Sequence, residues 1–369
     1  MTATAHPEIH TAPGREFPRF RFQGTHLQIG EQFGEACRDL MHLHLNKALA
    51  RLGDRQSMSR DVAFAKAMRY RPWVLQYAPF FDDEITGISR GAGITLEEAW
   101  LLQLRAEVAA PVLGEDAQEC TTFAIQPHVT ADGQTLVGQN ADLPAFYGEI
   151  GIVVELVPDD QPAVLMLTPA GQVSYIGMNN EGVGCFANFL SCDGWKLGLP
   201  RYFLSRLALT QTSVEDALAL VRPIPRASSR NMIMGDAGGT IADLETTADK
   251  DARIDPTDGV LAHANHYTAP NLLEDERAED DYIGNSRIRH ARMDELLREH
   301  SGRHSPDLMQ TLLRDRSTFP DAMCRMPGDR DGSDSITFAS VIAQPGTGSM
   351  WVAVGPPNEN PYVEHRFTT

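Results

Sequence analysis

The period of apolar residues in this 369-residue chain turns at Cys120 from a block of helices to a run of strands, and that switch constrains the fold more than any other feature. Upstream the spacing is helical. Ile29, Phe33, Ala36, Leu40 and Leu43 mark one face of a helix expected over about residues 26–52. Further helices are expected over about 59–75, in a stretch ending near Gly87, and from Thr95 to about Val108. The last opens on Thr95-Leu96-Glu97-Glu98, a capping box in which the Thr95 hydroxyl accepts an early backbone N–H and Glu98 reaches back. Before Cys120, one segment alternates as a strand does, Arg19-Phe20-Arg21-Phe22, and Pro18 suits its entry.

From Cys120 the period is two. Strands are expected at 121–126, 135–139, 150–157, 163–168, 172–177 and 183–188. Turn chemistry separates them: Asp132-Gly133, Pro158-Asp159-Asp160, Ala170-Gly171 and Asn179-Asn180-Glu181-Gly182. This is a run of hairpins, not an alternation of strands with crossover helices. Helices resume at Pro200 and at the cap pattern Ser213 to Asp216. Strands return at 230–235, 240–245 and 259–263. The acidic stretch 267–284 reads as a loop over a site, helices follow at 286–299 and 305–314, and strands at 335–343 and 349–354 close the chain. Strand blocks flanked by helix blocks imply two sheets covered by helices, a layered α+β arrangement.

The formal net charge of -18 argues against a nucleic-acid or anionic-membrane partner, each of which needs a basic face. It also leaves open a preference for cationic or neutral substrates. No apolar run approaches the roughly 18 residues that span a bilayer, and no secretory leader is legible in residues 1–17. Five scattered cysteines (Cys37, Cys120, Cys185, Cys192, Cys324) form no CxxC pair and suit a reducing, cytoplasmic location. No cofactor is implied. His263 and His266 lack a third ligand, so no metal site is implied either.

Cys120 stands at the seam between the two textures. A cysteine that becomes an N-terminus combines a nucleophilic thiol with an α-amine of pKa about 7.7–8.0, which can act as its base. That unit requires the Glu119–Cys120 bond to break, and the thiol can do this by attacking the preceding carbonyl. Taken alone, the same residue reads as a buried structural thiol.

Order and spacing of several motifs add a resemblance. Cys120-Thr121-Thr122-Phe123-Ala124, Asp132-Gly133 and Gly138-Gln139-Asn140-Ala141-Asp142 resemble the mature start of the penicillin acyltransferase family of N-terminal-nucleophile (Ntn) hydrolases. Asn179 to Val183 with Asn188 resembles that family's turn in the first sheet. His263-Ala264-Asn265-His266-Tyr267 resembles its oxyanion segment, and Gly24 to Gly34 the first helix of its pro-segment. The resemblance implies a four-layer αββα fold. Residues 1–119 would be a mainly helical pro-segment, 120–369 the catalytic segment, and the two cleaved chains would stay together in one domain. It implies Cys120 as nucleophile, Asp142 orienting the new α-amine, and Asn265 donating to the oxyanion. Asn140, Tyr147, His266, Ser333 and Asp334 would surround the substrate. Two departures are visible. Glu119 stands where the family has glycine, and Ser333-Asp334 where it has a carboxylate-binding arginine, so a cationic amine is expected there.

The implied activity is hydrolysis of a linear amide C–N bond in a small N-acyl or aminoacyl amine. Acyl transfer from a coenzyme A thioester uses the same residues. Two other classes stay open: a non-catalytic, uncleaved binding protein, and a serine hydrolase built on Gly87-Ile88-Ser89-Arg90-Gly91. The last motif needs a strand before it and reads as helix. Self-association is compatible with all of these.

Overall fold

The computed structural model describes residues 16–109, 120–330 and 333–368. Its N-terminal part runs β1 (Arg19–Gly24), α1 (His26–Ala36), α2 (Arg38–Gln56), α3 (Arg60–Met68), α4 (Arg71–Tyr77), α5 (Phe80–Ala92), α6 (Leu96–Leu101) and α7 (Arg105–Ala109). Then come β2 (Cys120–Ile125), β3 (Leu136–Pro144), α8 (Tyr147–Ile150), β4 (Gly151–Pro158), β5 (Val164–Pro169), β6 (Ile176–Asn179) and β7 (Val183–Asn188). After α9 (Arg201–Ala208) and α10 (Val214–Val221) follow β8 (Arg230–Asp236), β9 (Ile241–Thr246), β10 (Asp251–Ile254) and β11 (Val260–His263). The chain ends with α11 (Asp280–Glu299), α12 (Pro306–Leu312), β12 (Ser335–Gln344), β13 (Ser349–Val354) and β14 (Tyr362–Arg366).

Two sheets form, in the orders β1-β4-β5-β6-β7-β8-β9-β10 and β11-β2-β3-β12-β13-β14. Alternation along each strand sorts the core into three sets. One face of the first sheet (Val154, Met166, Met232) packs on α1, α2, α5 and α9 through Phe33, Met41, Ile85 and Phe203. Its other face (Val153, Leu165, Phe186) meets the second sheet at Val137, Ala141 and Val341. The far face of the second sheet (Phe123, Ile125, Ile342) is covered by α11 and α12 through Met293, Leu297 and Met309. Helix, sheet, sheet, helix is the expected four-layer order.

The expected helices are there but more broken. Residues 26–52 split at Cys37, whose φ of -112° and ψ of 19° start a new axis. Residues 59–75 split before Pro72, which sits in the first turn of α4. The Thr95 capping box forms as read, but its helix stops at Leu101 and α7 follows separately. The edge strands β10 and β14 were not legible, because Asp251-Ala252-Arg253-Ile254 and Tyr362 to Arg366 carry too few apolar residues to show a period. Helix α11 starts at Asp280, earlier than expected, since Asp280 and Asp281 favour a helix N-terminus.

Gly87 does not end its helix, and the reason disposes of the serine-hydrolase motif. Gly30 and Gly34 of α1 face Gly87 and Gly91 of α5 in close backbone approach. A Cβ on Gly30 would lie 2.0 Å from the Glu84 carbonyl oxygen, and one on Gly87 would lie 2.3 Å from that of Leu27. The glycines are spaced for helix contact. Ser89 between them donates its hydroxyl to the Ile94 carbonyl at 2.8 Å. Ser89→Ala should therefore leave activity unchanged, whereas Gly87→Ala should cost about 3 kcal/mol or more of stability. Denaturant unfolding of the two variants checks this.

Candidate active site

Cys120 is the first residue of β2, which lies between the edge strand β11 and β3 in the second sheet. The residue is 1% exposed. Burial does not single it out, because all five cysteines are buried and unpaired. Its neighbours do. The main-chain N–H of Cys120 donates to Asn265 Oδ1 at 2.7 Å. Its carbonyl accepts from Arg289 Nη1 at 2.7 Å and from Asn188 Nδ2 at 3.0 Å. Burial and the nearby Asp142 carboxyl push the thiol up to about 12, against the opposite pull of Arg289 and Arg230. The thiol is therefore protonated at neutral pH in this chain and needs a base to become a nucleophile.

Asn265 follows β11. Its Oδ1 also accepts from Arg289 Nη2 at 3.0 Å, which fixes the amide orientation, and one Nδ2 proton goes to the Phe189 carbonyl at 3.0 Å. The loop that carries it is tied down by Glu245 of β9, which accepts from Thr268 N–H at 2.7 Å and from Ala269 N–H at 3.1 Å. His263 Nε2 donates to Glu245 at 2.7 Å and Nδ1 to the Ala264 carbonyl at 2.9 Å, so both ring nitrogens act as donors. Burial opposes that charge, but Asp243 and Glu245 outweigh it and lift His263 to about 9. His266 is the opposite case. Burial, reinforced by His263 and His290, pushes it down to about 3, and its Nδ1 contacts Ser286 Oγ at 2.7 Å.

Asp142 lies on β3, one position beyond Ala141, the register partner of Cys120. Its main-chain N–H reaches the Cys120 sulfur. Thr337 Oγ1 donates to Asp142 Oδ1 at 2.6 Å, while the buried Oδ2 has no partner among the described residues. Burial raises the carboxyl to about 7, partly offset by Arg289. An acid raised in the fold binds its proton more tightly than in the unfolded chain. Its ionisation therefore removes stability as pH rises from about 4 to 7. Asp142→Asn should abolish that part of the pH dependence, on the order of a few kcal/mol across the window. Unfolding free energies at pH 4.5 and 7.5 for both proteins measure it.

The remaining expected residues divide. Tyr147 joins an aromatic cluster with Phe146, His44 and Phe338, the last adjacent to Thr337. Asn140 spends its amide on the carbonyls of Leu313 and Met323, each at 2.9 Å, and accepts from Ser340. Its side chain ties these two segments to β3. Ser333 and Asp334 are exposed, and the Asp334 carboxylate pairs with Arg51 at 2.5 Å and Arg55 at 3.8 Å. Its charge is met there by two guanidinium groups. Glu119 lies outside the described residues. Arg289 had no place in the sequence reading, and Asn188 entered it only as part of a turn. A sign of Arg289 was present, since it sits on the same helical stripe as Tyr282, Asn285, Met293 and Leu296, where a cation is out of place.

With this geometry in hand, comparison with known proteins decides the family. Residues 129–359 match the model of the acyl-coenzyme A:6-aminopenicillanic acid acyl-transferase family. The chain belongs to that family. The acyl-coenzyme A:6-aminopenicillanic-acid-acyltransferase 40 kDa form of Emericella nidulans is 26% identical over 352 residues, covering 91% of this chain and 92% of that protein. Among solved structures, a variant of the conjugated bile acid hydrolase from Clostridium perfringens is similar at 14% identity over 68% of this chain and 97% of that one, with a TM-score of 0.42. The penicillin V acylase from Agrobacterium tumefaciens is similar at 12% identity over 64% of this chain and 83% of that one, with a TM-score of 0.41. Membership of the acyl-transferase family places the chain among enzymes that act on amide bonds.

Proposed function

We propose that this protein is a self-cleaving cysteine amidohydrolase that opens a linear amide C–N bond in a small N-acyl or aminoacyl amine. One observation carries the reading: the main-chain nitrogen of Cys120 is received by a built polar site, on Asn265 Oδ1 held by Arg289. A structural thiol has no use for such a site. A future α-amine does.

In maturation, Cys120 Sγ bonds to the Glu119 carbonyl carbon and the peptide C–N bond breaks. The thiol proton passes to the departing nitrogen. Water then hydrolyses the thioester, leaving a carboxylate on Glu119 and a free amine and thiol on Cys120. In turnover the amine takes the thiol proton, directly or through water, and the sulfur attacks the substrate carbonyl. Asn265 Nδ2 has a second proton for the oxyanion, a contact typically worth about 10²–10³ in rate. Asp142 orients the amine through its unpartnered Oδ2. The amine product leaves with a proton, and water releases the acyl group. The unpaired cysteines support a cytoplasmic location.

The family match favours one further reading, acyl transfer from a coenzyme A thioester to an amine. Acyl release measured with and without an added amine separates the two. The main reading is tested by the intact mass of purified protein. A cut after residue 119 divides the 369-residue, 40.6 kDa chain into pieces of roughly 13 and 27 kDa. A fully active protein of undivided mass overturns it.

A further inference from the structure

Asn265 is held at its main chain as well as at its side chain. The peptide bond before it, Ala264–Asn265, is buried, and side chains meet both of its polar groups. Ser286 Oγ accepts from the Asn265 N–H at 2.6 Å. His263 Nδ1 donates to the Ala264 carbonyl at 2.9 Å. Ser286 and Arg289 stand three residues apart on α11, so one face of that helix addresses Asn265 twice: Ser286 at the main-chain nitrogen, Arg289 at Oδ1. A serine inside a helix ordinarily turns its hydroxyl to solvent or back to the preceding turn. Ser286 is fully buried and spends its oxygen on another segment.

Each of these partners is fixed in turn. Glu245 receives four donors on two oxygens: His263 Nε2 at 2.7 Å, the Thr268 N–H at 2.7 Å, the Thr268 hydroxyl at 2.6 Å and the Ala269 N–H at 3.1 Å. An amide there would turn its NH2 on a donor, so a carboxylate fits and glutamine does not. With that carboxylate on one ring nitrogen and a carbonyl on the other, His263 carries both protons. Burial and the charge on His263 keep the neighbouring His266 neutral, its ring centroid 6.2 Å away. A neutral His266 accepts at Nδ1 from the Ser286 hydroxyl at 2.7 Å. With its proton drawn to His266, the Ser286 oxygen turns a lone pair to the Asn265 N–H.

We infer that Ser286 and His263 are positioning residues: they clamp the Ala264–Asn265 peptide from both sides, so that the second Nδ2 proton of Asn265 stays aimed at the oxyanion. This rests on the reading of Cys120 as nucleophile and Asn265 as oxyanion donor. The side-chain bonds of Asn265 alone do not secure it. Self-cleavage turns the Cys120 N–H held by Asn265 Oδ1 into an amine, which alters that bond. No atom of Ser286, His263 or the clamped peptide reacts in that step or in turnover, so the donor keeps its place through both. A misplacement of about 1 Å can cost on the order of 10²-fold in rate.

Two small reagents on the purified full-length protein separate the donor from the thiol. With para-nitrophenyl acetate, Cys120 Sγ bonds to the acetyl carbon through a tetrahedral oxyanion, para-nitrophenolate leaves, and the thiol proton goes to the α-amine. Iodoacetamide alkylates the same sulfur by displacement of iodide, with no oxyanion. The ratio of acetylation to alkylation rates at Cys120, read by peptide mass, therefore reports oxyanion stabilisation with the nucleophilicity of the thiol divided out. Ser286→Ala and His263→Gln should each lower that ratio by about 10–100-fold and leave alkylation within about 3-fold of wild type. Ser286→Ala removes one oxygen and suits a helix, so it decides the matter if His263→Gln does not fold. Asn265→Ala should lower the ratio as far or further, and Ser286→Ala added to it should lower the ratio no more, because the serine acts through the asparagine. A ratio unchanged in Ser286→Ala, or one that Ser286→Ala lowers equally without Asn265, overturns the clamp alone. A wild-type ratio no higher than that of free cysteine overturns the donor role of Asn265 beneath it, and a Cys120 that neither reagent modifies overturns the nucleophile.

Discussion

Cys120→Ala should stay a single 40.6 kDa chain and lose at least about 10³-fold in activity. The expectation follows from sharing one residue between maturation and turnover. Without Sγ there is no atom to attack the preceding carbonyl, so no α-amine forms and no acyl-enzyme can follow. Unfolding is a poor explanation for such a loss. The substitution removes one atom from a site where Cys120 is held by its main chain, through Asn265, Asn188 and Arg289. Those bonds survive in alanine, and the loss in stability should stay near 1 kcal/mol. Electrophoresis, an amidase assay and a denaturant midpoint separate the effects. A variant that is cut normally, or one that is inactive because it unfolds, would defeat the mechanism as stated.

Arg206→Met should remove about 3–5 kcal/mol of stability at neutral pH. Arg206 on α9 and Glu84 on α5 are both about 2% exposed at the side chain. Arg206 Nη2 donates to Glu84 Oε1 at 2.7 Å, and Nη1 donates both to Glu84 Oε2 and to the Val173 carbonyl. His26 of α1 contacts Glu84 at 2.6 Å and Asp160 at 3.0 Å. Burial alone would raise Glu84; Arg206 and His26 outweigh it and hold the carboxyl below its ordinary range. A depressed acid contributes stability above its unfolded pKa and loses it as pH falls through the folded value. In Arg206→Met the buried carboxylate is left with less compensation and protonates more readily. The gap to wild type should therefore narrow as pH falls below about 4.5. The double variant with Glu84→Met should cost less than the sum of the single changes. Denaturant unfolding at pH 4 and 7 gives all these values. The network links residues before and after Cys120, as does the parallel pairing of β1 with β4. After a cut at that point these contacts would hold the two chains together.

Much of this was written in local chemistry. The capping box at Thr95 needs only four consecutive residues, and it forms as read. The turn at Asn179 needs a residue able to adopt positive φ, and Gly182 takes φ of 90° while Asn179 Oδ1 accepts from Glu181 and Val183. Cys120, Asp142 and Asn265 lie in short, ordered motifs, and the fold brings Asn265 and Asp142 into contact with Cys120. The elements that escaped were those with no period to read, such as the edge strands β10 and β14. The surroundings of Asp334 escaped for a different reason: only the fold brings Arg51 and Arg55 to it.

The sequence by itself determined where the chain changes from helix to strand, and which cysteine stands at the change, because hydrophobic period and turn chemistry act over a few residues. The tertiary structure alone decided what surrounds that cysteine. Arg289 reaches the Cys120 carbonyl from 169 residues away and Asn188 from 68. Ser286 reaches the main-chain nitrogen of Asn265 only when α11 packs on β11. Such convergence depends on which strands pair and which faces are buried, so no local spacing encodes it.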